Sequence, residues 1–367
     1  MSRFDCHIIG GGLVGLCTAL ELHHRGLRVQ VLEQGQVGRE SSWAGGGILS
    51  PLEPWKSSPE FSALVSFAQE QYPELCMQLQ QATGIDPEFR VSGLLVCGLA
   101  NAEREQLFRW ANQHRQPVRI LQHHELDSLE PHIHPGIVDA FFLETVAQVR
   151  NPRLLHAMHR YLLKAGVEIL EETGVTGFRT RKDTITTVQT DHGDEFPAEN
   201  IVVASGAWSS RLVPDYPVKP IRGQMLGIQT PPGMLQRILV RDGFYLIPRI
   251  DGLILAGSSR EDVGFHKDTT RTFREKILQF VESMLTGINR YPVRHHWSGL
   301  RPATPSGVPY ICKHPRIANL YLNYGHYRNG ILLAPAAAVL LADILQGRES
   351  FVDAGHFNLV SEAVVNA

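Results

Sequence analysis

Four residues near the N-terminus have the types and spacing that bind a dinucleotide. Gly10, Gly12 and Gly15 follow the pattern G-x-G-x-x-G, and Glu33 ends the next apolar segment. Gly10 allows a tight turn, Gly12 leaves room for a pyrophosphate, and Gly15 lets a helix lie close to a sheet. The Glu33 carboxylate suits ribose hydroxyls, and no arginine stands there to accept a 2′-phosphate, which argues against NADP. The motif alone does not separate FAD from NAD.

The segments around these residues predict a βαβ unit. Residues 4–9 are a short apolar strand, residues 16–25 a helix that Gly26 ends, and residues 28–32 a second strand. The helix N-terminus then offers free N–H groups and a positive dipole end to phosphates. The alternative is a glycine-rich turn in an ordinary α/β protein, but strand, turn, helix, strand and acid all occur in the expected order.

The composition of the 367-residue chain excludes several classes of function. With 43% hydrophobic residues and length for about two domains, the chain can bury a large core. A net charge of −2 gives no drive toward nucleic acid or an anionic membrane. No apolar run is long enough to span a membrane, and no signal peptide precedes the first strand.

Five scattered cysteines without C-x-x-C predict reduced thiols and a cytoplasmic location. The 17 histidines lack metal-ligand spacing, so no metal site is expected.

Later segments predict a second domain inserted into the first. Residues 91–96 and 136–143 read as strands that bracket a helix over 102–114, and the segment 222–296 is rich in strands. A hairpin is expected across residues 251–252. Residues 200–208 predict a buried parallel strand that ends in a glycine turn, and a turn at 325–330 leads into an apolar helix over 331–345. The nucleotide-binding domain therefore resumes near residue 150 and is discontinuous.

Several motifs in order resemble the D-amino acid oxidase and sarcosine oxidase family of flavoproteins over nearly the whole chain, with the glycine oxidases as the most similar branch. These are the βαβ unit, the loop at 41–48, the V-V-A-S-G-A-W turn at 202–208, G-L-R-P at 299–302 and G-H-Y-R-N-G-I-L-L-A-P at 325–335. The resemblance implies an α/β fold with a discontinuous Rossmann-like FAD-binding domain (1–85, 150–215 and 300–367). It also implies a smaller α+β substrate domain with a mixed or antiparallel sheet (86–149 and 216–299).

The resemblance also implies non-covalent FAD and assigns site residues. In addition to Gly10, Gly12 and Gly15, the implied cofactor contacts are Leu13, Val14, Glu33, Gln34, Ser41, Ser42, Gly46, Gly47, Ile48, Val175, His326, Tyr327, Arg328, Asn329, Gly330, Ile331 and Leu332. The implied substrate contacts are Tyr245, Arg301 and Arg328, and Tyr245 and Arg301 are the expected catalytic residues. Arg260 departs from the family, because glycine oxidases can carry an apolar side chain at this hairpin end.

The chemistry of the three substrate residues agrees with these roles. The Arg301 guanidinium is a planar fork suited to a carboxylate, although a surface arginine is the alternative. Tyr245 lies in an apolar strand and needs a partner for its hydroxyl; it could instead be a core tyrosine. Arg328 could hold a substrate carboxylate or bind local backbone.

The expected activity is oxidation of glycine and other small amines, such as sarcosine, D-alanine or D-proline. The α-hydrogen would pass as a hydride to flavin N5, O₂ would become H₂O₂, and the imine would hydrolyse to an oxo acid. A place in thiamine biosynthesis is implied by the resemblance.

The alternatives are a dehydrogenase that passes electrons to a quinone or protein, a non-catalytic FAD-carrying subunit, and a flavoenzyme of modified tRNA, which the balanced charge disfavours. Small-molecule amine and O₂ are the expected partners, and a homo-oligomer remains open.

Overall fold

The computed structural model of the protein describes residues 3–358. Within them the strands are β1 Cys6–Ile9, β2 Val29–Leu32, β3 Arg90–Val91, β4 Leu94–Cys97, β5 Val118–Gln122, β6 Asp139–Leu143, β7 Ala147–Gln148, β8 Glu168–Leu170, β9 Val175–Arg181, β10 Thr184–Thr190, β11 Glu195–Pro197, β12 Asn200–Val203, β13 Lys219–Gln229, β14 Ile238–Arg241, β15 Phe244–Pro248, β16 Leu253–Gly257, β17 Glu261–Asp262, β18 Val293–Ala303, β19 Tyr310–Lys313 and β20 Leu320–Tyr324. The α-helices are α1 Leu13–His24, α2 Ser41–Ala44, α3 Pro59–Thr83, α4 Asn101–Gln113, α5 His123–Leu129, α6 Asn151–Lys164, α7 Arg271–Met284 and α8 Gly330–Gln346.

A six-stranded sheet forms the nucleotide-binding layer, in the order β19-β20-β12-β1-β2-β8. Its strands are parallel except β19, which runs antiparallel to β20. All four residues of β1 and of β2 are buried, as expected for strands covered on both faces. Helices α1, α3, α6 and α8 share one core with this sheet, and the antiparallel sheet β11-β10-β9 packs on the opposite face. The predicted α/β, Rossmann-like layer is therefore confirmed.

A nine-stranded sheet forms the second layer, with the path β17-β13-β16-β15-β14-β4-β6-β5 and β18 paired to β13. Its neighbouring strands are antiparallel except β4 and β14, which are parallel, so the predicted mixed sheet is confirmed. Helix α7 begins after Thr270, whose hydroxyl accepts a hydrogen bond from the Phe273 N–H group and caps the helix. The hairpin of β15 and β16 is also confirmed, with Tyr245 opposite Gly257. The domain boundaries given above stay a prediction.

Three segments differ from the sequence expectation. The strand expected over 200–208 ends at Val203, and a 3₁₀ helix occupies Gly206–Arg211. The strand expected over 91–96 is broken at Gly93, which has φ +69°. The strand-rich segment expected over 222–296 extends further, because residues 297–302 belong to β18. Its glycine and proline hid the strand pattern, because both are weak strand formers.

Candidate active site

A cavity of about 550 Å³ lies at the carboxyl ends of β1, β2, β12 and β20, and it also reaches β15 and β18. This is where α/β sheets of this kind bind their ligands. The predicted residues that line it are Gly10, Gly12, Val14, Glu33, Gln34, Ser41, Ser42, Gly46, Gly47, Ile48, Val175, Tyr245, Arg301, His326, Tyr327, Arg328, Asn329, Gly330 and Ile331. Leu13, Gly15 and Leu332 are buried and do not line it. Their proposed contacts with FAD remain predictions.

The three glycines of the first motif have different roles. Gly10 has φ +114°, and a Cβ there would lie 2.5 Å from the Ala204 carbonyl oxygen. A Cβ on Gly15 would lie 1.9 Å from the Gly10 carbonyl oxygen, so these two glycines permit the strand and α1 to approach. A Cβ on Gly12 would have the Ser42 Oγ atom, at 3.2 Å, as its protein contact within 4 Å. The missing side chain of Gly12 therefore leaves space in the cavity, whereas the missing side chains of Gly10 and Gly15 allow backbone segments to pack closely.

The Glu33 carboxylate is fixed by the glycine turn. The Gly11 N–H group donates to its Oε2 atom at 2.6 Å, and the Gly35 N–H group donates to Oε1 at 3.0 Å. Burial raises the pKa of Glu33, and these two donors oppose that rise. Because Glu33 also lines the cavity, it fits the predicted place beside a ribose.

Arg301 lies on β18 with its guanidinium against the backbone of Gly223 on β13. A Cβ on Gly223 would lie 2.1 Å from Arg301 Nη2, so this close approach needs glycine. Arg301 Nη2 donates to Ser258 Oγ at 2.6 Å, and Nη1 donates to the Ser259 carbonyl at 3.1 Å. Within the described chain its guanidinium has no carboxylate partner. The fork is thus held in place while its charge remains available for an anion.

Tyr245 lies on β15 and is 7% exposed. Its hydroxyl donates to Met225 Sδ at 3.7 Å, which is a weak hydrogen bond. Its ring also packs near the loop residue Gly46, where a Cβ would lie 3.3 Å from Tyr245 Cε2. The phenol is therefore buried, lines the cavity and can bind a stronger acceptor than the thioether.

Arg328 brings a second guanidinium to the cavity. Its Nη2 atom donates to the Gly243 carbonyl at 3.1 Å. Burial lowers the pKa of Arg328, and the positive charges of Arg301 and Arg260 lower it further, while Tyr245 opposes this. Two guanidinium groups near one cavity favour a negatively charged ligand.

The Arg260 side chain faces solvent. It is exposed and does not line the cavity, and its Nη2 atom lies 3.0 Å from the place of a Cβ on Gly243. It therefore adds positive charge behind Arg328 without lining the cavity.

His326 belongs to a buried hydrogen-bond chain that determines its tautomer. The Thr18 hydroxyl donates to the Val14 carbonyl at 2.7 Å, so it accepts from Asn323 Nδ2 at 3.0 Å. The Asn323 Oδ1 atom then faces His326 Nε2 at 3.0 Å, and this nitrogen must carry the proton. His326 Nδ1 is left as a buried acceptor with no hydrogen-bond partner within residues 3–358. An orphaned acceptor in a ligand cavity fits a hydrogen-bonding group of the cofactor.

We expect His326 to make the protein less stable in acid. Burial lowers the pKa of His326 to about 3, whereas an unfolded histidine has a pKa of about 6.5. Between these values the unfolded chain binds a proton that the folded chain does not, so the free energy of unfolding falls as pH falls. The contribution is about 2 kcal/mol between roughly pH 7 and pH 5. His326→Gln, which keeps a donor for Asn323, should lose that part of the dependence.

Urea denaturation at the two pH values with saturating FAD measures this difference. His192→Gln, which replaces an exposed histidine, is the control and should keep the wild-type dependence. An unchanged dependence in His326→Gln would show that His326 does not titrate in this way.

The sequence pattern missed the residues that support the predicted ones. Ser258 and Ser259 hold Arg301, Asn323 orients His326, and Arg249 lies behind the loop 45–48. Only Arg249 carried a signal, because a charged residue at the end of an apolar strand is unusual. The cavity mouth was also missed. There Lys56 forms ion pairs with Glu53 at 2.5 Å and Glu103 at 3.1 Å.

Residues 3–358 lack two features that are typical of other classes of protein. Their His, Cys, Asp and Glu side chains include no group that could hold a metal ion. Their helices include none that is both long and apolar enough to cross a membrane.

Comparison with known proteins agrees with this geometry. Residues 5–344 match the family model of the FAD-dependent oxidoreductases called DAO, so the chain belongs to this family. It is 40% identical to the glycine oxidase of Pseudomonas aeruginosa over 94% of this chain and 96% of that one. It is 32% identical to the bifunctional protein ThiO/ThiG of Trichormus variabilis over 96% of this chain and 54% of that one. The crystal structure of glycine oxidase from Geobacillus kaustophilus matches with a TM-score of 0.92 and 29% identity, over 98% of this chain and 99% of that one.

The predicted resemblance is therefore confirmed, and so is the cofactor FAD. The protein is an FAD-dependent amine oxidoreductase similar to glycine oxidases. The positions of individual cofactor and substrate contacts remain predictions that the cavity geometry supports.

Proposed function

We propose that the protein oxidises glycine and other small amines to imines, which hydrolyse to an oxo acid, and reduces O₂ to H₂O₂. Glycine would give glyoxylate; sarcosine is the next expected substrate, and D-alanine and D-proline are expected to be weaker. One observation carries the proposal. The Arg301 guanidinium lines the cavity beside Tyr245 and has no carboxylate partner in the described chain, in a protein 40% identical to a glycine oxidase.

The residues of the chain bind and orient the substrate in this proposal. Arg301 would bind the carboxylate through two parallel hydrogen bonds, and Arg328 would add positive charge. The Tyr245 hydroxyl would exchange its weak bond to Met225 for a carboxylate oxygen. FAD, when bound, supplies the acceptor for the hydride that leaves the α-carbon. No acid or base from the protein is needed once the amine is neutral, so orientation is the main contribution.

The cavity also contains groups suited to holding FAD. Gly12 and the N-terminus of α1 suit the pyrophosphate, and Glu33 suits the ribose. The N-terminus of α8, at Asn329 and Gly330, would stabilise negative charge at the N1–C2 edge of the ring. These contacts are hydrogen bonds and dipoles, so we propose that FAD is held non-covalently and leaves on heating.

A substrate panel with peroxide as the readout tests this function. Purified protein saturated with FAD is mixed under air with glycine, sarcosine, D-alanine, D-proline, D-phenylalanine and L-alanine. We expect peroxide from glycine and sarcosine, less from the two small D-amino acids, and little from D-phenylalanine, because Tyr245 crowds the carboxylate site. L-alanine should fail, since the same carboxylate anchor would turn its α-hydrogen away from the flavin.

Other outcomes of this panel point to the alternatives. Turnover of D-phenylalanine without glycine or sarcosine would place the enzyme in another branch of the family. Reduction of FAD by glycine without peroxide would favour a dehydrogenase that uses a quinone or a protein acceptor. No reduction by any amine would favour a non-catalytic FAD-carrying subunit.

Three broader proposals accompany this function. The similarity to proteins named ThiO/ThiG supports a role in thiamine biosynthesis. Cys6, Cys17, Cys76 and Cys97 are buried and form no disulfide, which supports a cytoplasmic location. We also propose the division into an FAD-binding domain (1–85, 150–215 and 300–367) and a substrate domain (86–149 and 216–299).

A further inference from the structure

Arg249 is a buried arginine directly behind the loop 45–48. It is 5% exposed, and its guanidinium contacts only neutral oxygens. Nη1 donates to Gln148 Oε1 at 2.8 Å and to the Val149 carbonyl at 2.9 Å, and Nη2 donates to the Gly46 carbonyl at 2.9 Å. Its Nε atom has no hydrogen-bond partner in the described part of the chain. Burial lowers the pKa of Arg249 to about 10, so it is still charged at neutral pH.

Two of the three glycine carbonyls of this loop accept hydrogen bonds from residues that do not line the cavity. The Gly46 carbonyl accepts from Arg249, and the Gly47 carbonyl accepts from the Val149 N–H group at 2.9 Å. A trans peptide places its N–H group opposite its carbonyl. The peptides that contain these carbonyls therefore direct the N–H groups of Gly47 and Ile48 to the other side. Both residues line the cavity.

These two N–H groups have no acceptor among residues 3–358. Among the hydrogen bonds of residues 3–358, neither Gly47 N–H nor Ile48 N–H donates one. The antiparallel bridge between Ile48 and Gln148 does not use them, because its bonds are Leu49 N–H to Ala147 O and Val149 N–H to Gly47 O. Two adjacent donors beside a cavity are typical of a site for an acceptor edge or an anion.

The same loop is packed against the hairpin that carries Tyr245. Tyr245 and Ile247 alternate along one side of β15, and Arg249 follows the last residue of that strand. A Cβ on Gly46 would lie 2.5 Å from Ile247 Cδ1 and 3.3 Å from Tyr245 Cε2. Arg249 therefore connects β15, which carries the predicted substrate residue Tyr245, to the loop 45–48, which carries the two N–H donors.

We propose that Arg249 is a positioning residue that directs the Gly47 and Ile48 N–H groups at acceptor atoms of the flavin ring and places a buried positive charge behind them. Negative charge on the ring increases when FAD is reduced, so these donors and this charge stabilise the reduced state more than the oxidised state. The consequence is a higher reduction potential. The inference rests on the proposed function only in placing the flavin ring at this loop.

The test compares Arg249→Met and Arg249→Lys with wild-type holoenzyme. Arg241→Met is the control, because Arg241 is a half-buried arginine of the neighbouring strand β14 that bonds Ser283 and does not line the cavity. The readouts are the Kd of FAD for apoenzyme, the Kd of sulfite, which adds to oxidised flavin as an anion, the midpoint potential, and kcat and KM for glycine.

We expect Arg249→Met to bind sulfite at least tenfold more weakly and to have a lower midpoint potential. A tenfold change in the reduction equilibrium is about 30 mV for a two-electron couple. The kcat for glycine should fall more than KM changes, since Arg249 does not touch the substrate. Arg249→Lys keeps the charge but loses the planar fork, so its sulfite Kd should lie between wild type and Arg249→Met. Arg241→Met should match wild type.

Wild-type sulfite affinity and potential in Arg249→Met would overturn the proposal. The proposal would also be overturned if the sulfite Kd and the midpoint potential of Arg249→Lys were both no closer to wild type than those of Arg249→Met. If Arg249→Met does not fold, Arg249→Lys decides: at least threefold weaker sulfite binding supports the proposal, and unchanged binding overturns it. These readouts need no amine turnover, so they separate failure of this inference from failure of the proposed substrate.

Discussion

Replacing Arg301 with alanine is expected to lower kcat/KM for glycine by a hundredfold to a thousandfold while FAD is retained. Truncating one partner of a buried, hydrogen-bonded charge pair costs about 2–5 kcal/mol. The side chain rests on Gly223 and is held by Ser258 and Ser259, so no other residue replaces its fork. Steady-state peroxide production over a range of glycine concentrations measures the effect.

Two further variants make this prediction specific. Arg301→Lys should lose most of the same activity, because an ammonium group cannot bind a carboxylate through two parallel bonds. Arg260→Ala is the matched control, since Arg260 is exposed and does not line the cavity. It should change kcat/KM by less than about threefold, as surface charges have small effects. Near-normal kinetics in Arg301→Ala, with FAD bound, would remove Arg301 from the site.

Gly12→Val is expected to abolish retention of FAD while the protein still folds. A Cβ on Gly12 has one side-chain atom, Ser42 Oγ at 3.2 Å, as its protein contact within 4 Å, and the valine would project into the space predicted for the pyrophosphate. We expect FAD to bind at least a hundredfold more weakly, which is about 2.7 kcal/mol. Titration of apoenzyme with FAD measures this, and circular dichroism should match wild-type apoenzyme.

Gly15→Val is the matched comparison for the glycine motif. Its Cβ would lie 1.9 Å from the Gly10 carbonyl, so the clash is with backbone and the variant should fail to fold or unfold at much lower temperature. Gly12→Val therefore tests the space for the cofactor, and Gly15→Val tests the packing of the fold, although both glycines belong to one motif. Full FAD occupancy in Gly12→Val would contradict the placement of the pyrophosphate.

Local patterns in the sequence predicted much of the fold. The first βαβ unit, the hairpin of β15 and β16, and helix α8 follow from apolar periodicity, caps and turns, which are encoded within short segments. The extent of β18 did not follow, because Gly299 and Pro302 are unfavourable in strands. The structure explains Gly299: a Cβ there would lie 2.5 Å from Ala44 Cβ, so close packing against α2 requires it.

The sequence predicted those residues of the candidate site that belong to a family motif or have a chemically distinctive side chain, such as Glu33, Tyr245 and Arg301. The supporting contacts were not predicted, because they join residues that are far apart in the chain. Arg249 holds the Gly46 carbonyl, for example. Such pairs follow from the register of the nine-stranded sheet and from its packing on the first layer, which no single segment encodes.

Anaerobic mixing of the FAD-loaded protein with glycine tests the central claim most directly. The measurement is the visible absorbance of the flavin over time, followed by peroxide after air is admitted. We predict that glycine bleaches the flavin in a single turnover, that the rate saturates with glycine, and that air restores the colour with peroxide and glyoxylate as products. A flavin that stays oxidised with glycine and with sarcosine, in protein that is fully loaded with FAD, would contradict the assignment of this enzyme as an oxidase of small amines.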